Sequence, residues 1–150
     1  MNINKEINEN KIYTVIGSIE TPNNILKHFR YIGRILAYRG YLLRSGGAPG
    51  ADTAFELGCK DSSINNNFGG DRNIFLPWEN FNNNKSKRYY LNSEAFELAK
   101  MYLPYWNNLS FPVKKLMARN GYQVLGTKPI SNPIKSDFVV CWTKNGKLQG

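Results

Sequence analysis

Histidine occurs once in this chain of 150 residues, at His28, and cysteine twice, at Cys59 and Cys141. A single histidine argues against a His-based catalytic triad, and two distant cysteines have no metal-ligand spacing, so no metal site is expected. Each cysteine sits in an apolar run, where a buried free thiol is the expected state. His28 falls on a helix read from Ile25 to Arg39, as a surface residue. No apolar run approaches the length that spans a bilayer, and no secretory signal is recognisable. The chain therefore reads as cytoplasmic, with no membrane partner. Acidic residues are also scarce: 11 Asp and Glu stand against 20 Lys and Arg, a formal charge of +9. That imbalance favours an anionic partner, either a small nucleotide or a polymer. Two familiar phosphate motifs are missing too, the G-x-G-x-x-G dinucleotide fingerprint and the Lys-Ser/Thr pair of a P-loop.

What the chain does have is a glycine-rich loop, Ser45-Gly46-Gly47-Ala48-Pro49-Gly50-Ala51-Asp52. It lies between a strand-like run, Tyr41 to Leu43, and a helix-like run from about Ala51 to Lys60. A strand that empties through glycines into a helix N-terminus builds an anion site. Glycines allow close backbone approach, and the free N–H groups of the first turn point at the ligand. A tight turn alone accounts for one or two of the glycines. Three of them, with a stiffening Pro49 and a helix-capping Asp52, favour ligand binding.

The remaining pattern alternates strands and helices. Strands are expected over Lys11–Ile16, Tyr41–Leu43, Asn73–Leu76 and Ser136–Trp142. Helices are expected over Ile25–Arg39, Ala51–Lys60, Ser93–Tyr102 and Val113–Leu125. Leu26, Phe29, Ile32, Gly33, Leu36 and Ala37 recur at helical spacing and give the first helix a buried face. Residues 1–10 read as a loose polar arm, and Asp61–Asp71 as a loop. The order predicts one α/β domain over 11–150, a Rossmann-like parallel sheet with helices on both faces. In such sheets ligands sit beyond the C-terminal strand ends. Those ends are Gly17-Ser18, Ser45–Asp52, Pro77-Trp78-Glu79 and Thr143 onward.

Val15-Ile16-Gly17-Ser18, then Thr21-Pro22, then Gly40-Tyr41-x-Leu43-x-Ser45-Gly46-Gly47-Ala48-x-Gly50-Ala51-Asp52, resembles the SLOG superfamily. That group includes bacterial DNA-processing recombination mediators, cytokinin-activating phosphoribohydrolases and nucleotide-sensing domains of antiviral defence systems. Ala118-Arg119-Asn120-Gly121-Tyr122-Gln123-Val124-Leu125-Gly126 is similar to the Arg-Asn helix start of the mediators and of phage-encoded relatives. The resemblance implies a nucleotide-binding fold in which the glycine loop holds a phosphate or ribose, with Asp52 either simply capping its helix or also accepting from a ribose hydroxyl. It further implies that Ser18 contacts the ligand from the first loop and that Arg119, with Asn120 beside it, closes the pocket as a charge clamp. A guanidinium suits that task because it grips phosphate bidentately. Trp78 and Glu79 could supply base stacking and a hydrogen bond, or serve as packing and rim.

Two departures bear on function. The group's usual Arg after Gly-Ser is Ile19 here. The phosphoribohydrolase motif Pro-Gly-Gly-x-Gly-Thr-x-x-Glu has no counterpart, and Thr143–Gly150 holds no second Gly-Gly-Thr-type loop. The first expectation is therefore binding of a nucleotide-derived, phosphate-bearing small molecule, with no catalytic residue and no cofactor. The Asn- and Lys-rich composition fits a phage protein that sequesters an antiviral signalling nucleotide, such as a cyclic nucleotide or an ADP-ribose derivative. The second is a single-stranded DNA-binding module, resting on the charge and on Tyr89, Tyr90, Tyr102, Tyr105 and Trp106. The third is an N-glycoside hydrolase. Glu56, Glu79 and Glu94 are its only carboxylate candidates, and Glu56 is expected to face solvent or a helix partner. A homo-oligomer, most simply a dimer, is expected, with Leu103–Val113 as candidate interface or ordinary core.

Overall fold

The computed structural model describes residues 11–62 and 70–147, so the N-terminal arm, most of the Asp61–Asp71 loop and the last three residues lie outside it. Four strands form one parallel sheet: β1 (Ile12–Gly17), β2 (Leu42–Ser45), β3 (Arg72–Ile74) and β4 (Phe138–Trp142), in the spatial order β3-β2-β1-β4. The helices are α1 (Asn23–Tyr38), α2 (Ala51–Asp61), α3 (Ser93–Tyr102) and α4 (Phe111–Leu125). This is the expected α/β architecture. Each strand shifts by a residue or two from its sequence-based bounds. Among the described residues no helix is long and apolar enough to cross a membrane.

Strand periodicity assigns the two faces. Successive side chains point to opposite sides of a sheet. Tyr13, Val15 and Leu43 therefore point one way and pack with Phe29 of α1 and Ala51, Ala54, Phe55 and Cys59 of α2. The rings of Phe29 and Phe55 lie 4.8 Å apart, and Tyr13 lies 6.0 Å from Phe55. Two glycines let α2 approach. A Cβ on Gly58 would fall 2.0 Å from the Arg30 carbonyl oxygen of α1, and one on Gly17 would fall 1.9 Å from Ala51 Cβ. Thr14 and Arg44 point the other way, toward α4. Beyond them a smaller apolar cluster of Phe75, Ala95, Ala99, Ala118 and Tyr122 joins α3 to α4.

Three local expectations change. Cys141 is an exposed free thiol, because β4 is an edge strand with solvent on one side, whereas Cys59 is buried as expected. Ile32 is exposed, since α1 meets α2 along a narrower stripe centred on Phe29 and Gly33. Leu103–Val113 is neither uniform core nor uniform surface. Leu103 and Trp106 pack on the α3–α4 cluster, while Tyr105 and Phe111 are exposed.

Candidate functional site

The glycine loop leaves β2 at Ser45 and enters α2 at Ala51, at the C-terminal edge of the sheet. Its glycines have separate jobs. Gly47 and Gly50 take φ of +66° and +86°, a region that L side chains avoid. Gly46 has no room for a side chain: a Cβ there would fall 1.8 Å from Arg119 Nη1. The loop after β1 closes against Gly50, where a Cβ would come within 2.9 Å of the Ser18 carbonyl oxygen. Ser18 is tied into its own turn, accepting the Glu20 N–H at Oγ and the Thr21 hydroxyl at its carbonyl, at 3.0 and 2.7 Å.

Asp52 does not cap α2; Gly50 occupies that position. Asp52 Oδ2 instead accepts the N–H groups of Gly46 and Ala48, at 3.0 and 3.2 Å. The loop thus folds around its own carboxylate. Two amides that the sequence offered to a ligand are already hydrogen-bonded, and the Gly47 N–H donates to Ser45 Oγ. Burial raises the Asp52 carboxyl to about 6, against the opposing pull of Arg119 and the two amides.

Arg119 reaches the loop from α4. Its Nη1 donates to the Gly46 carbonyl, and Phe81 covers the guanidinium, with the ring centroid 5.8 Å from Cζ. Trp78 packs edge-on against Phe81, with centroids 5.1 Å apart. Arg119 is 5 % exposed and Asp52 4 %, yet Arg119 Nε and Asp52 Oδ1 have no hydrogen-bond partner. Burial pushes the Arg119 pKa down, while the carboxylates of Asp52 and Glu56 pull it up. A buried charge with an unmet donor, beside a buried carboxylate with an unmet acceptor, is an uncommon and costly arrangement.

Gly17, Ser18, Ser45, Gly46, Gly47, Ala48, Gly50, Asp52 and Arg119 thus converge, with Trp78 one ring away. Two proposed members stand apart. Asn120 turns about a quarter of the helix circumference from Arg119 and lines a shallow cleft with Leu98, Tyr102 and Gly121 between α3 and α4. Glu79 is exposed, 3.9 Å from Lys87 Nζ.

Several neighbours of the loop carried no motif. Glu56 faces neither solvent alone nor a helix partner. Ser45 Oγ donates to its Oε1, and Asn84 Nδ2 donates to its Oε2 at 3.3 Å. Burial raises Glu56 to about 7. Asn82 Nδ2 donates to the Gly47 carbonyl at 3.0 Å. Asn80, Asn82 and Asn83 all take left-handed φ, which asparagine tolerates better than other side-chain-bearing residues. A run of asparagines after β3 was the available signal for such a loop. Glu56 could have been placed by its i+4 spacing from Asp52, which puts both on one face of α2.

Among the described residues no group of three or more His, Cys, Asp or Glu side chains could hold a metal ion. No family model, no curated protein and no solved structure matches this chain.

Proposed function

We propose that this protein binds a nucleotide-derived, phosphate-bearing small molecule at the loop edge between β1 and β2, as the resemblance to the SLOG superfamily implies. One observation carries the reading: the Arg119 guanidinium is buried beside the glycine loop with Nε unsatisfied. A protein interior seldom keeps such a donor unless a ligand or an ordered water completes it. A ligand phosphate would meet Arg119 by displacing Phe81, and Trp78 beside Phe81 would offer a face to a base. The +9 charge would draw such an anion in.

The test is a thermal-shift screen of mono-, di- and cyclic nucleotides and ADP-ribose compounds. One compound should raise Tm in the wild type and not in Arg119→Met, because a ligand that binds only the folded state must stabilise it. If no compound does so, the reading fails. The biological role suggested by the resemblance, a phage protein holding an antiviral signalling nucleotide, requires that the bound compound be recovered intact by chromatography. Recovery of cleaved product would instead favour N-glycoside hydrolysis.

A second reading rests on a different surface. Tyr90, 81 % exposed, is shared by two open clefts of about 360 Å³ each. One is lined by Trp78, Phe111 and Lys115, the other by Lys87, Arg88 and Lys128. Exposed rings between cations suit a single nucleic-acid strand. Binding of a short oligothymidylate that weakens steeply with salt and falls in Tyr90→Ala would favour it over the small-molecule site.

A further inference from the structure

On the β3 side of the glycine loop lies a polar cleft of about 550 Å³ that the proposed nucleotide site does not use. Its walls are α2, β3 and the asparagine loop. Lys60, Arg72 and Lys85 line it, and among the described residues none of the three is ion-paired with a carboxylate. Glu56 lines it as well, held by Ser45 Oγ and Asn84 Nδ2. Asn82 and Asn83 line it too, on left-handed backbone, with Asn82 Nδ2 already donating to the Gly47 carbonyl. The apolar contribution comes from Leu57 and Ile74, and among the described residues no aromatic ring lines the cleft. The chemistry is thus divided: three cations, of which Arg72 also lies against Glu56 and Cys59, suit a phosphate group, while amides and a carboxyl suit hydroxyls.

We propose that this cleft is a second ligand site, for a phosphorylated sugar or polyol, with the phosphate held by Lys60, Arg72 and Lys85 and the hydroxyls by Asn82, Asn83 and Glu56. The Glu56 carboxyl shares its surroundings with Asp52 on its own helix, Arg72 on β3, Cys59 one turn on, and Arg119 across the loop. An anion bound beside it favours its protonated form, so binding takes up a proton. The Glu56 contribution to affinity is therefore larger at pH 6 than at pH 8, across its value of about 7.

Isothermal titration calorimetry of the full chain with glucose 6-phosphate tests this, with inorganic phosphate and glucose as comparison probes. Glucose 6-phosphate should bind more tightly than either. The phosphate ester itself ionises at about pH 6 and binds cations better as the dianion. The Glu56 contribution is therefore read against Glu56→Gln, which keeps the shape without the ionisation. Relative to that variant, the wild type should lose about tenfold in affinity from pH 6 to pH 8, the equivalent of one pKa unit. Arg72→Gln should weaken binding about tenfold, the cost of one charge-assisted hydrogen bond. Arg72 also faces Cys59, so Lys85→Gln, expected to act in the same direction, separates loss of binding from loss of fold. Arg119→Met should still bind glucose 6-phosphate, with the pH dependence displaced upward because Glu56 loses a neighbouring cation. Three results would each overturn the proposal. They are no heat with glucose 6-phosphate, equal affinity for inorganic phosphate, and binding lost in Arg119→Met but kept in Arg72→Gln and Lys85→Gln. None of these bears on whether a nucleotide binds beside Arg119, which the thermal-shift screen reads separately.

Discussion

The two faces of this sheet are built from the same strands by different means. Toward α1 and α2 the inward residues are Tyr13, Val15 and Leu43, and the space is filled by Phe29, Phe55 and small residues of α2. Toward α4 the inward residues are Thr14 and Arg44, and the space is crossed by hydrogen bonds. Thr14 Oγ1 donates to the Gln123 carbonyl, and Gln123 Nε2 donates to the Val15 carbonyl at 2.8 Å. Arg44 Nη1 donates to the Ile134 carbonyl at 2.6 Å, and Arg119 to the Gly46 carbonyl. The apolar face gains from area removed from water, which is non-directional. The polar face gains little net energy per bond, but each bond fixes a geometry. Stability is concentrated on the first face and positioning on the second. The candidate site lies at the edge of the positioned one.

The largest effect that could break this comparison is on the apolar face. Phe55→Ala should cost about 3–5 kcal/mol in urea denaturation, as full truncation of a buried aromatic does. A cost below 1 kcal/mol would mean that the face is not the source of stability. On the polar face, Gln123→Leu should cost about 1–3 kcal/mol by leaving the Val15 carbonyl without its side-chain donor. It should also loosen α4, seen as faster amide exchange there than in α2. Uniform exchange would show that α4 is held by packing instead.

A pH effect sharpens the contrast at the loop. Asp52 and Glu56 are raised, chiefly by burial, to about 6 and about 7. Their folded values lie above the unfolded ones, so the native state binds more protons in that window. Stability from these two groups is fully present below the unfolded carboxyl values and is lost as pH rises from about 4 through the folded values to about 7.5. Asp52→Asn with Glu56→Gln should flatten the Tm profile over that range. An unchanged slope would move the titration elsewhere. The smallest expected effect is that of Arg119→Met made together with Asp52→Asn. Removing a buried charge along with its neighbouring carboxylate should change stability by less than about 1 kcal/mol, in either direction, while abolishing nucleotide binding, whereas Arg119→Met alone strands the buried Asp52 carboxylate and should cost more. A large loss of stability in the double variant would make the pair a structural strut.

Much of the frame could be read in advance. The order of strand-like and helical runs points to one parallel sheet, and the glycines after β2 mark a close approach, whereas the burial of Thr14 between Tyr13 and Val15 shows only in the structure. The site was legible only in outline. Arg119 belongs to it and Asn120 does not, although they are adjacent in sequence, because α4 meets the sheet along one stripe. Glu56 and Asn82 carry no motif, and their place depends on how the loop after β3 folds back over Gly47. Asp52 reads as a cap because Asp near a helix start usually is one. It turns back because Gly46 and Gly47 bring two amides within its reach.

The sequence by itself determined the element order, the parallel sheet, the glycine loop and the sign of the charge. These follow from periodicity, from the conformations open to glycine and from composition, all of which act locally along the chain. Only the tertiary structure decided which polar side chains share a dry space. It joined Arg119 to Gly46, Asn84 to Glu56 and Phe81 to Arg119 across long stretches of chain. Those pairings set the burial of Asp52, Glu56 and Arg119. Burial is a property of the assembled surface, so the electrostatics of the site comes into being only once the helices have packed.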